Sequence, residues 1–121
     1  MKYLCLIYEE EPRLEALPPA EYDALVAEIL GYVDGLRARG QLLAGEPLKS
    51  VRSATSVRVR DGKASMTDGP FAETKEALGG FILVDVPDLD AALAIAANWP
   101  SARFGGVEVR PVAELMTPNP H

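Results

Sequence analysis

Two segments of this chain are apolar on both of their alternating faces, and this feature restricts the fold more than any other. The segments are KYLCLIY at residues 2–8 and GGFILVDV at residues 79–86. The two faces of the first segment are Tyr3, Cys5 and Ile7 on one side and Leu4, Leu6 and Tyr8 on the other. Successive side chains of a β-strand point to opposite faces, and a strand with two apolar faces is covered on both. The sequence therefore predicts two strands in a sheet that is covered on both sides.

Two amphipathic helices are predicted, at about residues 20–39 and 89–98. The apolar face of the first, at three- and four-residue spacing, is Tyr22, Leu25, Val26, Ile29, Val33 and Leu36. Asp88 is the expected N-cap of the second helix, which ends before Pro100. The expected inner face of the second helix is Leu89, Ala92, Leu93, Ala96 and Trp99.

The rest of the chain supplies further strands and one loop. We predict a loop at residues 9–19, a strand at 41–48, a hairpin at 55–69 and a last strand at 107–112. An Asp-Gly pair inside the hairpin segment is a strong two-residue turn signal. Without the hairpin, the order is βαββαβ, the ferredoxin-like pattern with two helices on one face of a four-stranded antiparallel sheet. The predicted fold class is therefore α+β, with an extra β-hairpin.

The predicted helices cover only one face of the sheet, although two of its strands are apolar on both faces. A bare apolar sheet face of several hundred Å² is unusual on a monomer. A second copy packed face to face would cover it, so we expect a homodimer in the form of a dimeric α+β barrel. The 121 residues fit one domain over residues 1–121, with residues 116–121 as a frayed tail.

The bulk composition excludes several classes of partner. The formal net charge of −6 argues against sequence-independent binding to nucleic acid, which needs clustered cations, and against binding to an anionic membrane. No apolar run reaches the roughly 18 residues of a membrane span, and the N-terminal segment lacks the features of a signal peptide. The single cysteine, Cys5, cannot form an internal disulfide. We expect a cytoplasmic protein of bacterial type that binds neither nucleic acid nor membrane.

A polar run at residues 68–76 separates the hairpin from the apolar strand at 79–86, and it has two interpretations. It can be a solvated connector, in which Asp68-Gly69-Pro70 forms a turn, Pro70 opens a short helical turn, and Gly79-Gly80 ends it.

The same run can also form the wall of a site. Asp68 and Glu73 could transfer protons if burial or a like charge raised a pKa toward neutrality. Thr74 and Lys75 could hold an anionic or carbonyl group, and Phe71 could cover the pocket.

Three further side chains are candidates for ligand binding. Tyr8 ends the first strand, and Arg58 and Arg110 each lie on a strand between valines or beside one. Glu108 shares a strand face with Arg110, so the two would be paired if that face lined a cavity. The alternatives are a surface tyrosine hydroxyl and a solvent-exposed salt bridge on an edge strand.

No cofactor or metal is predicted. The chain has no Cys pair, no His pair and no calcium-loop pattern. No Gly-rich phosphate motif follows a strand, and no nucleophilic triad can be built without a histidine inside the fold.

The segment MTDGPFAETKEALGGFILVDVPDLDAALAIA, together with VEVRP and the opening KYLCLIY, resembles the DGPF family of YCII-related proteins. The resemblance covers nearly the whole chain. It implies a dimeric α+β barrel from a family of mostly uncharacterised bacterial proteins, whose genes often neighbour those of extracytoplasmic-function sigma factors. The residues carried over as the family signature are Asp68, Gly69, Pro70, Phe71, Glu73, Thr74 and Lys75.

Better-studied relatives of the wider YCII group resemble muconolactone isomerases and are suspected of acid/base chemistry built on a His and an Asp. The only histidine here is His121, the last residue, so that pair is not carried over. If the chain is a catalyst, Asp68 or Glu73 must act as the acid or base, with Lys75 or an arginine as the charge partner.

Two classes of function follow from these observations. The first is binding of a small polar metabolite in a pocket of the homodimer, extended by isomerase- or lyase-like carboxylate chemistry if the protein is an enzyme. The alternative is a non-catalytic regulatory or interaction module linked to sigma-factor-dependent transcription. The sequence alone does not decide between an enzyme and a binding protein.

Overall fold

A computed structural model describes residues 1–115 of the chain. The strands are β1 (Lys2–Glu9), β2 (Leu42–Pro47), β3 (Thr55–Arg60), β4 (Lys63–Asp68), β5 (Ala77–Asp85) and β6 (Gly105–Pro111). The helices are α1 (Glu11–Glu15), α2 (Pro19–Ala38) and α3 (Leu89–Ala97), and short 3₁₀ turns span Val51–Ser53 and Pro100–Phe104. The expected frayed tail at 116–121, with His121, lies outside the described residues.

Four strands form an antiparallel sheet in the order β2-β5-β1-β6. This is the ferredoxin-like order, so the predicted α+β class and βαββαβ topology are confirmed. The hairpin β3–β4 forms a separate two-stranded sheet. Its turn residues Asp61 and Gly62 both have positive φ, 53° and 75°, as the predicted Asp-Gly turn requires.

The core lies between α2, α3 and one face of the sheet. Its fully enclosed or nearly enclosed side chains include Tyr3, Cys5, Ile7, Ile82 and Val84 from the strands and Leu36, Ala92, Ile95 and Trp99 from the helices and the residues that follow them. Cys5 has no exposed surface, and this burial raises the pKa of its thiol above the ordinary value.

The predicted inner faces of the helices were partly wrong. Tyr22 and Val26 of α2 are exposed, as are Leu89 and Leu93 of α3. Tyr32 and Ile95, which the prediction left out, pack on the core instead.

A direct contact between α2 and α3 explains why Tyr32 and Ile95 turn inward. The Tyr32 hydroxyl donates a 2.8 Å hydrogen bond to the Ile95 carbonyl. The Tyr32 ring meets Trp99 edge to face, with 5.8 Å between the ring centroids. The face of each helix that meets its neighbour is therefore rotated from the face that periodicity alone indicates.

Two expectations about the connecting segments were also wrong. The predicted loop at 9–19 contains α1, whose Pro12 lies in the first turn, where proline is tolerated. The run at 68–76 has no helical turn. β5 begins at Ala77, so Gly79 and Gly80 lie inside the strand instead of ending a turn.

The two glycines of β5 allow close approach of other groups. A Cβ on Gly80 would lie 2.9 Å from the Glu46 carbonyl oxygen, and a Cβ on Gly79 would occupy the position of the Glu9 carboxylate. Their role is therefore tight packing inside the strand.

The second face of the sheet, which we call the open face, has no helix on it within residues 1–115, because α2 and α3 both pack on the face of Cys5. Its apolar side chains are Leu4, Leu6, Tyr8, Phe81 and Leu83, all only partly buried. On the edge strand β6, Glu108 and Arg110 lie opposite Leu6 and Leu4 and share this face. The apolar second face that the sequence predicts is therefore present and is not covered by a helix of the described residues.

Candidate functional site

A cleft of about 440 Å³ opens where β1 ends and the polar run approaches β5. It is lined by Glu10, Glu11 and Pro12 around the start of α1, by Val51 and Arg52 of the first 3₁₀ turn, and by Thr74, Lys75 and Ala77. Thr74 and Lys75 were predicted as ligand-binding residues, and the polar run thus contributes one wall of a cleft.

Glu11 fixes the distance between two walls of this cleft. Its carboxylate accepts hydrogen bonds from the Ser50 hydroxyl at 2.8 Å and from the Val51 backbone N–H at 2.9 Å. Arg52 donates a 2.8 Å hydrogen bond to the carboxylate of Glu15. These bonds tie α1 to the 3₁₀ turn, so both carboxylates serve to shape the cleft.

Glu10 organises the opposite wall. Arg13 donates to its carboxylate at 3.1 Å, and the Lys75 ammonium lies 3.5 Å from its other oxygen. The Arg13 hydrogen bond, aided by the positive charge of Lys75 and opposed by partial desolvation, holds the pKa of Glu10 below its ordinary value. Glu10 is therefore an anion at neutral pH that positions the ammonium of Lys75 at the cleft.

The Asp-Gly-Pro-Phe segment is anchored beside the 3₁₀ turn. Gly69 has φ of +105°, a conformation that glycine adopts without a steric penalty. Its N–H donates to the Ala54 carbonyl at 2.7 Å, and its own carbonyl accepts a 2.7 Å bond from the Ser56 hydroxyl. The segment is thus held next to residues 51–53, which form a wall of the cleft.

Two of the predicted site residues stack on each other. The Arg58 guanidinium lies 4.7 Å from the centroid of the Phe71 ring, within the range of a cation–π contact. Both side chains are exposed, and neither lines the cleft.

The two predicted acid/base residues are exposed in the single chain. Asp68 is the last residue of β4 and pairs with Thr55, and Glu73 lies between Phe71 and the cleft residue Thr74 along the chain. Neither carboxylate lines the cleft, although the residues that follow Glu73 do.

Tyr8 and Arg110 are on the open face but are not brought together. Arg110 lies opposite Leu4, four positions along β1 from Tyr8, which is about 13 Å at 3.3 Å per residue. The Arg110 guanidinium pairs with Glu108 at 3.6 Å, and both side chains are about half exposed or more. In the single chain this pair is the solvent-exposed edge-strand salt bridge that the sequence left open as an alternative.

Glu10, Glu11 and Arg52, three of the eight residues that line the cleft, were not predicted from the sequence. The available signal was the acidic triplet at 9–11 followed by Pro12 and Arg13, because an acidic first turn after a buried strand often marks a helix start.

A second hollow of about 690 Å³ lies between α2 and the second 3₁₀ turn, with Leu25, Arg103 and Phe104 in its lining. It contains none of the predicted site residues. No cluster of potential metal ligands occurs within residues 1–115. Over the same residues, no helix is both long and apolar enough to cross a membrane.

Comparison with known proteins places the chain in a family. The model of the YCII-related domain matches residues 1–116. The chain belongs to the YCII-related family. An uncharacterized protein of Rhizobium meliloti (strain 1021), R00369, is 34% identical over 115 residues that cover 93% of each chain.

A solved structure shares the fold of this YCII-related chain. It is 5-chloro-2-hydroxyhydroquinone dehydrochlorinase (TftG) from Burkholderia phenoliruptrix AC1100 in complex with 2,5-dihydroxybenzoquinone. The TM-score is 0.55 with 93% of each chain covered, and the sequence identity is 16%. The resemblance to the YCII-related family stated from the sequence is thus confirmed, and the mixed α+β fold is shared with an enzyme that binds a small ring compound.

Proposed function

We propose that this YCII-related protein binds a small polar metabolite in the cleft between α1, the first 3₁₀ turn and the polar run. The observation that carries the proposal is that Lys75, which pairs with Glu10, and Arg52, which Glu15 holds by a hydrogen bond, line the same cleft. Two cations in one cleft can hold a carboxylate or phenolate, and the carboxylates beside them disfavour a ligand that carries only positive charge. Thr74 donates its hydroxyl hydrogen to the Glu76 carbonyl, so its oxygen can still accept a hydrogen bond from a ligand.

The proposed ligand class is a small oxygenated compound with an acidic group. The complex of the structural neighbour TftG with 2,5-dihydroxybenzoquinone supports hydroxylated ring compounds as the first set to test. The cleft volume of about 440 Å³ lies within the range of small-molecule sites.

In the catalytic form of the proposal, one carboxylate of the polar run acts as the base. Glu73 or Asp68 would remove a proton from a carbon next to a carbonyl, and Lys75 would stabilise the negative charge that develops on the oxygen. Return of the proton to another carbon gives an isomerase, and loss of a leaving group gives a lyase. Because both carboxylates are exposed in the single chain, this chemistry requires that a bound ligand or a second copy exclude water from them.

We further propose that the protein is a homodimer in which the open face is covered by the same face of a second copy. The support is the row of apolar side chains on that face, Leu4, Leu6, Phe81 and Leu83, which no helix of residues 1–115 covers. Burial of apolar surface contributes about 25 cal/mol per Å². Multi-angle light scattering at micromolar concentration tests the homodimer, and a monomeric mass would contradict it.

The metabolite proposal is tested by binding measurements on matched variants. We would screen small carboxylates, lactones, phenols and hydroxylated quinones by thermal shift, because a ligand of the native state raises the melting temperature. Each hit would be titrated by calorimetry against wild type, Lys75→Gln and Arg37→Gln. Arg37 is an exposed cation of α2, so Arg37→Gln makes the same charge change away from the cleft.

The expected result is a hit whose affinity falls about tenfold or more in Lys75→Gln and stays unchanged in Arg37→Gln. Turnover that is lost in Glu73→Gln while binding remains would identify that carboxylate as the base. Hits that Lys75→Gln and Arg52→Gln leave unchanged would contradict the cleft.

A further inference from the structure

The hairpin β3–β4 has almost no contact with the other residues that the structure describes. Eleven of its twelve strand residues are exposed, the exception being Ser56. It is separate from the four-stranded sheet and is held at its base by the bonds of Gly69 to Ala54 and Ser56. An isolated two-stranded hairpin is marginally stable in water, so a hairpin of this length is expected to gain stability from a further contact.

One face of the hairpin is apolar beyond the Thr55–Asp68 pair at its base. Val57 pairs with Met66, and Val59 pairs with Ala64, which puts these four side chains on the same face. Val57, Val59 and Met66 are 48%, 59% and 74% exposed. Three large apolar side chains in one exposed row mark a contact surface more strongly than scattered ones do.

The other face is basic although the protein is acidic. Arg58, Arg60 and Lys63 share it with small polar residues and no acid. Residues 55–68 carry three cations and two acids, a charge of +1, so the rest of the chain holds −7. The hairpin is therefore electrostatically complementary to the body of another copy of this chain.

The total exposed surface is large enough for such a contact. The solvent-accessible surface is 8422 Å², against about 6,300 Å² for a compact monomer of 13.0 kDa. A fully extended segment as long as residues 116–121 would account for at most about 1,000 Å² of the difference. The remaining excess of about 1,100 Å², to which both the hairpin and the open face contribute, exceeds the roughly 800 Å² that each partner buries in a standard stable interface.

From these observations we infer that the hairpin is an arm that packs on the second copy of the homodimer. Its apolar row meets apolar surface at the rim of the partner's open face, and its basic face lies toward the partner's acidic surface. The inference rests on the homodimer proposed above and adds the element that clasps it. By symmetry, each copy gives one arm and receives one.

Charge substitutions with a matched control give the first test. Val59→Asp puts an acid into the apolar row, and Leu93→Asp makes the same change at an exposed site of α3, on the opposite side of the sheet. Both sites are exposed in the single chain, so both variants should fold. By light scattering over a dilution series, Val59→Asp should weaken the dimer about tenfold or more, and Leu93→Asp should leave it unchanged.

Photo-cross-linking gives the second test. Met66→Cys and Leu93→Cys would each be labelled with a benzophenone maleimide, since the native Cys5 is fully buried and will not react. Illumination should join two chains through residue 66 and not through residue 93, and the cross-linked peptide should map to a strand of the partner's sheet.

The outcomes separate the arm from the dimer itself. A wild-type dimer that survives Val59→Asp and gives no cross-link from residue 66 would overturn the arm and leave the homodimer intact. A monomeric wild type would overturn both. The cleft is tested separately by ligand titration, which does not depend on either result. A monomeric protein whose hairpin stays exposed and binds an acidic protein or a nucleic acid would also contradict the assignment to a second copy.

Discussion

The four-stranded sheet and the two-stranded hairpin are both antiparallel, and in both the side chains alternate between two faces. Different interactions nevertheless stabilise them. In the sheet, β1 has neighbours on both edges and a helical layer on one face. In the hairpin, each strand has one neighbour and, within residues 1–115, no layer on either face. The comparison shows that burial holds the sheet together, whereas the hairpin is held by its own strand pairing and by the bonds of Gly69 that close its base. Substitutions in the sheet should therefore lower the stability of the whole fold, whereas substitutions in the hairpin should have local effects.

The largest expected effect comes from a cavity under the sheet. Leu36 of α2 has no exposed surface, and Leu36→Ala should lower the free energy of unfolding by about 3 kcal/mol. Met66→Ala in the hairpin, measured in protein dilute enough to be monomeric, should lower it by less than about 0.5 kcal/mol. Urea denaturation followed by the fluorescence of Trp99 measures both. Equal losses at the two sites would show that the hairpin is part of the core.

A smaller effect is expected at the anchor of the hairpin. Gly69→Ala forces a side chain into φ of +105° and should cost about 1–2 kcal/mol. The cost should appear as faster amide hydrogen exchange within β3 and β4, with little change in β1.

Gly106→Ala is the matched control for this anchor. A Cβ at Gly106 would meet nothing within 4 Å, and the residue does not have positive φ, so the variant should differ from wild type by less than about 0.5 kcal/mol. Acceleration throughout the sheet in Gly69→Ala would contradict a local anchor.

The stacked pair of the hairpin should contribute less still. Arg58 and Phe71 are both exposed, so their cation–π contact should be worth about 0.5–1 kcal/mol. A double-mutant cycle of Arg58→Gln and Phe71→Leu measures this coupling, with stability followed by urea denaturation. A coupling of zero would show that the stacked geometry is not maintained in solution.

The smallest effect concerns the pH dependence of the cleft. The pKa of Glu10 is lowered in the folded chain from its ordinary 4.5, so its ionised form is favoured by folding. The resulting stabilisation is present above pH 4.5 and is lost as the pH falls through the lowered folded pKa. Carboxyl carbon shifts in an NMR titration measure that pKa directly.

Two variants divide the causes of this shift. The hydrogen bond from Arg13 is the largest cause, so Arg13→Met should raise the pKa of Glu10 more than Lys75→Met does. A larger rise in Lys75→Met would show that the ammonium, and not the guanidinium, keeps Glu10 ionised.

The parts of the fold that could be predicted are those with a strong period in the sequence. The two segments with two apolar faces predicted β1 and β5, and the Asp-Gly pair predicted the hairpin turn. The predicted cap Asp88 accepts a hydrogen bond from the Ala91 N–H at 2.9 Å. Each of these signals is local, because the residues that make it are near one another in the chain.

The parts that could not be predicted depend on contacts between distant segments. Tyr32 turns inward because Ile95 and Trp99 receive it, and periodicity within one helix has no information about that neighbour. Gly80 fits inside β5 because the Glu46 carbonyl approaches it, whereas a Gly-Gly pair in sequence resembles a turn.

The candidate site was predictable in part for the same reason. Thr74 and Lys75 belong to a polar run that is visible in the sequence, and both line the cleft. The residues that face them, Glu10 and Arg52, come from segments about 65 and 22 residues away in the chain. The catalytic roles of Asp68 and Glu73 stay predictions.

The rate at which the enclosed thiol of Cys5 is modified reports how often the protein unfolds. Because it has no exposed surface and a raised pKa, a thiol reagent can reach it only after the sheet and its helices have come apart. In native buffer, the rate of its modification therefore counts complete unfolding events without any denaturant. In protein dilute enough to be monomeric, a cysteine placed on the hairpin would react within the dead time of the same experiment, so one molecule would record both the slow opening of its interior and the immediate accessibility of its arm.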